Sequence, residues 1–414
     1  MLRNEIHMFF SRKNILVLAG AVIAILLIYQ FQYKKAYEEY GVKETQRITN
    51  QEAYLKANVK LNENSIAYYE ENEPENENFP KVKKMYNIWQ TQYGQRLLIR
   101  DLWEDWKPYE DNRKIEEIIL RRSCQMDQAL EESINIQLGE GEWILFDGTR
   151  RDWNERMLLH NAYKEAGIEE PVNKATPTGA YVLWEALKGG GQFFVVFIIV
   201  LILWNYNIWS ADFDEETYKL LYTLPYSRGK IFRVRCFVHC GLSVLGIGVL
   251  LLTLFLRGTV SFGTGLDGFR VINQRAISLF SVFFIGSGQT EVGDIALSMP
   301  KVIEIQFSLV VLFFLCFIAI IQFISFALKN STSVVCVLTA LVTAIGTVNL
   351  LSSGDEYGEM IPILERLNPF SYFKVAEIVH GDFGLGVPII VLEEIGIILI
   401  LFIVTRVWMK HREM

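Results

Sequence analysis

The chain has 414 residues, of which 51% are hydrophobic and 21% are charged, and its formal net charge is −7. The average hides two kinds of sequence: windows almost free of charge for a full bilayer thickness, and one long block as polar as a soluble domain. The acidic balance, with basic residues clustered only beside the apolar windows, excludes a nucleic-acid partner.

Six windows are apolar enough for transmembrane helices, because a bilayer core takes about 20 apolar helical residues to cross. They lack the alternation of apolar and polar residues that a barrel strand requires. The windows cover residues 15–33, 192–209, 236–256, 305–328, 332–351 and 387–404. The sequence therefore predicts an all-α fold, a polytopic six-span transmembrane helical bundle with a mainly helical extracellular domain.

Basic residues beside the spans predict how this bundle is oriented in the plasma membrane. Residues 1–14 are predicted to form an amphipathic interfacial helix. The first span is interpreted as a retained anchor, because no small-residue cleavage site follows it, and a removable signal peptide is the alternative. An even number of spans then places both termini in the cytoplasm and residues 34–190 outside the cell.

Residues 34–190 form the predicted extracellular domain, and residues 191–414 form a five-span membrane domain. The extracellular block has 22 Lys and Arg against 29 Asp and Glu, a net of −7, and the rest of the chain has 18 of each. An acidic surface attracts cationic ligands, or simply keeps the domain solvated. Only Cys124 lies in the block, so no disulfide forms within it. We predict that its tryptophans form a helical core, with a receptor surface as the alternative: Trp89, Trp103, Trp106, Trp143 and Trp153.

The stretch FDEETYKLLYTLPYSRGKIFRVR, residues 213–235, separates the second and third spans. Acidic residues crowd its start, where negative charge suits the helix dipole. Pro225 ends this first helix at Leu224, and Ser227 is a candidate N-cap for the next. Four cations are predicted to reach the inner headgroups: Arg228, Lys230, Arg233 and Arg235. We predict a short cytoplasmic helix that presents apolar and aromatic side chains to a partner; an ordinary interfacial loop is the alternative.

This stretch resembles the coupling helix of the type-2 family of ABC exporter permeases, here residues 213–228. That family's pattern is an acidic residue, Gly-Thr, a Leu-Leu pair, Pro followed by Ser-Arg, an Ile, and a Lys entering the membrane. The matching positions are Glu215, Thr217, Leu220, Leu221, Pro225, Ser227, Arg228 and Ile231, and Tyr218, Tyr222 and Leu224 share their short surface. Two positions depart from the pattern: Glu216 stands where glycine is usual, and Arg235 replaces the lysine.

A second resemblance precedes the last span, where such permeases commonly carry an Asn-Pro segment that dips into the outer leaflet. Asn368 and Pro369 fit this pattern within residues 362–386, a predicted outer re-entrant segment, with a plain outer loop as the alternative. Glu393 and Glu394 follow about 8 Å along the sixth span, at ~1.5 Å per residue. Ionisable groups at such depth usually face protein or water. Both are therefore candidates for the substrate path at the outer gate, or for structural partners there.

The resemblance implies a permease subunit of an ATP-driven exporter that moves a peptide, lipid or drug-like substrate outward. The sequence has no P-loop, zinc-protease or nucleophile-elbow motif, so we expect no catalytic residue, metal site or bound cofactor in this chain. ATP and Mg²⁺ would be bound by a separate dimer of ABC ATPase subunits, and a second permease, identical or related, would complete the transporter.

Resistance to antimicrobial peptides is one expectation for the biological role, because an acidic extracellular domain suits cationic peptides. Two other classes of function stay open. One is a membrane sensor or receptor whose extracellular domain binds a peptide and signals to a cytoplasmic partner. The other is an ion channel or a structural membrane protein.

Overall fold

The computed structural model describes residues 5–6, 9–134, 150–217, 227–278, 293–352, 374–380 and 386–411. A π-helical stretch, Tyr29–Lys34, joins the first two helices. In chain order the described elements are α1 Arg12–Ile28, α2 Lys35–Glu38, α3 Tyr40–Asn72, α4 Phe79–Asp105, α5 Arg113–Ile134, α6 Arg150–Ala166, α7 Gly179–Leu187, α8 Gln192–Asn205, α9 Ser210–Asp214, α10 Arg228–Phe262, β1 Phe269–Asn273, α11 Gln274–Ile277, β2 Asp294–Ser298, α12 Met299–Ala327, α13 Ser331–Ser352, α14 Val375–His380 and α15 Val387–His411.

Among the residues that the structure describes, five helical stretches are long and apolar enough to cross a membrane, which confirms the predicted helical membrane bundle. They are Arg12–Glu38, Gln192–Asp214, Arg228–Phe262, Met299–Ala327 and Val387–Met409. The remaining window, residues 332–351, lies in α13, where the described apolar stretch Ser331–Ala344 is shorter than a bilayer requires. A sixth span therefore stays a prediction.

The chain divides into two compact units. One is Phe31–Pro177, and the other combines Met1–Gln30 with Thr178–Met414. The predicted extracellular domain extends to residue 190, but α7 packs against α10 and α12 and so belongs to the unit that contains the spanning helices. The apolar composition of α7 explains this, because Ala180, Val182 and Leu187 are fully buried.

Aromatic side chains form much of the core between α8 and α12. The ring of Phe194 stacks on Phe314 with 5.3 Å between centroids, and Phe197 meets the same ring edge-on at 6.1 Å. Elsewhere in this unit α12 packs along α15 and α1 packs along α8. Because lipid tails are as apolar as these residues, close packing rather than water exclusion stabilises such contacts inside a membrane.

A pair of glycines allows α7 to approach α10 closely. A Cβ at Gly258 would lie 2.8 Å from the backbone nitrogen of Gly179, and a Cβ at Gly179 would lie 2.2 Å from Oγ1 of Thr259. The first amides of α7 are satisfied by the turn after α10, since Gly179 N–H donates to Gly263 O at 3.0 Å. This backbone contact ties the start of α7 to the end of α10.

A two-stranded antiparallel sheet, which the sequence analysis did not predict, joins α10 to α12. Phe269 pairs with Ser298 and Asn273 with Asp294. The Asn273 amide also donates to the buried Asp294 carboxylate at 2.9 Å. Arg270 of β1 lies over the ring of Trp184 in α7, 4.4 Å from its centroid, so the sheet packs beside α7.

The unit Phe31–Pro177 is built from α3, α4 and α5, with α3 and α4 packed along each other. Trp103 and Trp106 are buried with Ile48, Ile99 and Ile119, and Trp89 packs with Leu55 and Met85 in a second cluster. These three tryptophans confirm the predicted helical core. The side chains of Trp143 and Trp153 lie outside the described part of the chain.

Candidate coupling site

The predicted coupling segment begins with the short helix α9, which follows α8 after a few turn residues. Glu215 ends α9 as its C-cap residue, and Glu215 to Thr217 form a turn in which the Thr217 hydroxyl lies 3.4 Å from the Asp212 carboxylate. Six predicted contact residues lie outside the described residues: Tyr218, Leu220, Leu221, Tyr222, Leu224 and Pro225. The described structure thus covers the two ends of the segment.

Glu216 adopts a backbone φ of 54°, in the left-handed region. For residues other than glycine this conformation costs roughly 1–2 kcal/mol, because Cβ approaches the following carbonyl. Glycine adopts it freely. The permease pattern has glycine at this position, and the left-handed backbone at Glu216 is a conformation that glycine adopts more easily than glutamate.

At the other end of the segment, α10 begins at Arg228 with Ser227 as its N-cap residue. The Ser227 backbone has extended geometry, and its carbonyl accepts from Lys230 N–H at 2.8 Å. In the described residues its hydroxyl makes no capping hydrogen bond. The predicted helix start is confirmed, although the predicted side-chain cap is not formed.

Arg235, about two turns into α10, is buried instead of reaching the headgroups, so that prediction is wrong for Arg235. Its side chain is 3% exposed. The guanidinium pairs with the carboxylate of Asp212, lies 3.2 Å from Glu5 Oε2 and donates to Ile208 O at 3.0 Å. The physical reason is that two carboxylates and a carbonyl satisfy the charge inside the protein, so water is not needed.

The same guanidinium lies over the ring of Trp209, 4.9 Å from its centroid, which adds a cation–π contact. Burial raises the pKa of Glu5, and the nearby Asp212 carboxylate adds to this, against the opposing effect of Arg235. Arg235 therefore joins three parts of the chain: the N-terminal segment, the end of α8 with α9, and the start of α10.

Serine hydroxyls attach α9 to two further helices. Ser325 of α12 accepts from the backbone N–H groups of Trp209 and Ser210, at 3.1 and 3.2 Å. Ser210 Oγ lies 2.9 Å from Ser331 Oγ, and Asp214 accepts from Ser331 N–H at 3.0 Å. The base of the segment is thus fixed to α10, α12 and α13. Local patterns in the sequence do not indicate these contacts, which join residues more than a hundred positions apart.

The predicted outer-gate residues form a separate location. Glu394 of α15 is 2% exposed and Glu393 is half-buried. The burial agrees with the expectation that ionisable groups in a span face protein. Asn368 and Pro369 lie outside the described residues, so their relation to the two glutamates stays a prediction.

No protein-family model matches the chain, and no curated protein matches it. The likeness to type-2 ABC permeases therefore rests on the sequence pattern alone.

Proposed function

We propose that this chain is the permease subunit of an ATP-driven ABC exporter. The observation that carries the proposal is a contact between the two ends of residues 218–226. Asp212 precedes this segment and Arg235 follows it, and an ion pair with a buried guanidinium joins them. Displacement of either of these ends therefore also displaces α8 and α10. The resemblance of residues 213–235 to the coupling-helix pattern agrees with that mechanical arrangement, as does the left-handed backbone at Glu216.

In the proposed mechanism, the ATP-driven closure of two partner ATPase subunits displaces the coupling segment. The displacement passes through Asp212 and Arg235 to α8 and α10, and the serine contacts carry it to α12. Rotation of these helices opens a path to the outside for a peptide, lipid or drug-like substrate. A second permease, identical or related, completes the path, and Glu393 and Glu394 line it.

A sensor or receptor function is the second candidate, and one observation favours it. The unit Phe31–Pro177 contains a partly open cavity of about 630 Å³ with both apolar and charged walls, a size typical of small-ligand sites. A ligand bound there would be reported through the membrane helices to a cytoplasmic partner. The two candidates differ in the protein that contacts residues 218–226.

Site-specific photocrosslinking in intact cells separates the candidates. A crosslinker in place of Tyr222 is expected to capture a protein that mass spectrometry identifies as a P-loop ATPase. The matched control is a crosslinker in place of Phe237, which is 73% exposed in α10 and is expected to face lipid. Capture of a kinase at Tyr222 would favour the sensor, and absence of any captured ATPase would reject the exporter.

Coupling itself is tested with the permease and its ATPase in liposomes. Leu221→Asp and Arg228→Ala are expected to reduce transport by at least about tenfold while ATP hydrolysis continues, because the push no longer reaches the spanning helices. Arg233→Ala is the control, since Arg233 is an exposed cation on the same helix. If transport per ATP hydrolysed is unchanged in Leu221→Asp and Arg228→Ala, the proposed coupling role is wrong.

A further inference from the structure

The cavity in the unit Phe31–Pro177 lies among α3, α4, α5 and α6 and the segment that follows α6. Its volume of about 630 Å³ falls within the range of about 300–1,000 Å³ that is typical of small-molecule sites. A smaller cleft of about 220 Å³ among α10, α12 and α15 is apolar on nearly all sides. The larger cavity differs from it in having charges of both signs beside an apolar wall.

One wall of the larger cavity is apolar and firmly packed. Ile48, Ile99 and Trp103 line it and are also buried members of the hydrophobic core. Tyr40 lines the same wall and lies edge-on to Trp103, with 5.3 Å between ring centroids. Because these side chains are held by the core, the wall is pre-formed for an apolar or aromatic group of a ligand.

Other parts of the lining carry paired polar and charged side chains. Arg156 Nη2 lies 3.3 Å from Asp127 Oδ1, and His160 Nδ1 lies 3.2 Å from Glu170 Oε2. Arg156 also has a buried Nε that finds no acceptor among the described residues. Burial raises the pKa of Asp127 even though Arg156 lies beside it. The cavity therefore combines a guanidinium with a spare donor and carboxylates that are poorly hydrated.

Cys124 lies against the His160 ring, with its Sγ 3.5 Å from Nδ1 and 3.6 Å from Nε2. A nucleophilic cysteine needs a lowered pKa, since the thiolate is the reactive form. Here burial raises the pKa of the Cys124 thiol to about 11, and the carboxylates of Glu170 and Asp127 add to the effect. The Cys124 thiol therefore lacks the lowered pKa of a nucleophilic cysteine and is a neutral part of the lining.

We propose that this cavity binds a small amphipathic zwitterion, an amino acid or a short peptide with free termini. The ligand carboxylate meets the Arg156 guanidinium, whose planar donors suit paired hydrogen bonds to a carboxylate. The ligand amine meets the carboxylates of Asp127 and Glu170, and an apolar side chain lies against Trp103. The inference does not depend on the exporter proposal, because it concerns the unit Phe31–Pro177 alone.

Isothermal titration calorimetry on the full chain in lipid nanodiscs tests the proposal with three probes. These are the dipeptide leucyl-phenylalanine, its C-terminal amide and its N-acetyl form. The free dipeptide is expected to bind saturably, and each blocked form at least about tenfold more weakly, since each lacks one of the two charges. Equal affinity for all three, or no binding of the free dipeptide up to about 1 mM, would overturn the proposal.

Variants assign the binding to this cavity. In Arg156→Gln the affinity for the free dipeptide is expected to fall at least about tenfold. The affinity for the C-terminal amide, which is already weak, is expected to stay close to its wild-type value. Arg156→Lys keeps the charge without the planar fork and is expected to give an intermediate loss, which guards against a simple folding defect. Arg113→Gln is the matched control, because Arg113 is a largely exposed side chain outside the cavity. Equal affinities of the Arg156→Gln and Arg113→Gln variants for the dipeptide would overturn the assignment.

Discussion

The guanidinium of Arg235 is paired with the carboxylate of Asp212, 23 residues earlier in the chain. Asp212 lies in α9 and Arg235 in the first turns of α10, so one ion pair joins the two ends of the segment between two spanning helices. Glu5 completes the pair as a second acid and brings the N-terminal segment to the same point. The relationship makes this junction a mechanical unit, whichever partner acts on it.

Loss of Arg235 is expected to destabilise the membrane unit strongly. Arg235→Met leaves the buried carboxylate of Glu5 and the half-buried carboxylate of Asp212 without their cation, which costs about 3–5 kcal/mol of unfolding free energy. The measurement is reversible unfolding in mixed micelles with increasing SDS. Arg233→Met is the control, and as a surface substitution it is expected to change the unfolding free energy by no more than about 0.5 kcal/mol. Equal effects of the two substitutions would show that the buried pair is not stabilising.

Glycine at position 216 is expected to stabilise the turn before the coupling segment. Glu216→Gly removes the steric cost of a φ of 54°, a gain of up to about 1 kcal/mol after the added chain entropy of glycine is subtracted. Glu215→Gly is the matched control, because its φ of −93° suits any residue, so there the entropy cost of glycine should destabilise. The same SDS unfolding assay compares them. Destabilisation by both substitutions would contradict the left-handed conformation at Glu216.

The contact between α7 and α10 predicts that Gly258 does not tolerate alanine. In Gly258→Ala the new Cβ would lie 2.8 Å from backbone nitrogen of Gly179, and relief of that clash requires a shift that costs about 1–3 kcal/mol. Gly241→Ala in the same helix meets no described residue within 4 Å and is expected to be neutral or stabilising, by up to about 1 kcal/mol. Thermal unfolding midpoints in detergent measure both. A neutral Gly258→Ala would mean that the helices are further apart than described.

The pH dependence of stability is expected to carry a contribution from Asp127. Because burial raises its pKa above the ordinary value of 3.8, the folded protein binds this proton more tightly than the unfolded chain does. The contribution to stability therefore grows as pH falls through the raised pKa and levels off below 3.8. Asp127→Asn, which mimics the protonated acid, should gain stability relative to wild type as the pH rises to 7.

Asp111 provides a control of opposite sign for that pH experiment. Hydrogen bonds from Arg113 to the Asp111 carboxylate lower its pKa, so its contribution is present above its ordinary pKa of 3.8 and is lost as pH falls through the lowered value. Denaturant unfolding at a series of pH values from about 3 to about 7 gives the free energy of unfolding of Asp127→Asn, Asp111→Asn and wild type. If Asp127→Asn loses stability relative to wild type as the pH rises, the direction assigned to the Asp127 pKa is wrong.

The spanning helices and the helical character of residues 34–134 were predictable from sequence, because both depend on local patterns. A run of apolar residues long enough to cross a bilayer indicates a spanning helix, whichever other helices it packs against. The tryptophan core followed from the same local reasoning, and Trp89, Trp103 and Trp106 are buried as predicted. The start of α10 was also predictable from neighbouring residues, because Pro225 and the N-cap residue Ser227 mark it.

Only the tertiary structure decided where Arg235 lies, how α7 packs and how the cavity is lined. Near a membrane boundary an arginine either reaches the headgroups or is buried with acids, and the choice depends on Glu5, 230 residues away. The cavity likewise brings Tyr40 together with Lys174. Burial and charge pairing depend on which distant residues meet, and a single sequence reports only those that are neighbours along the chain.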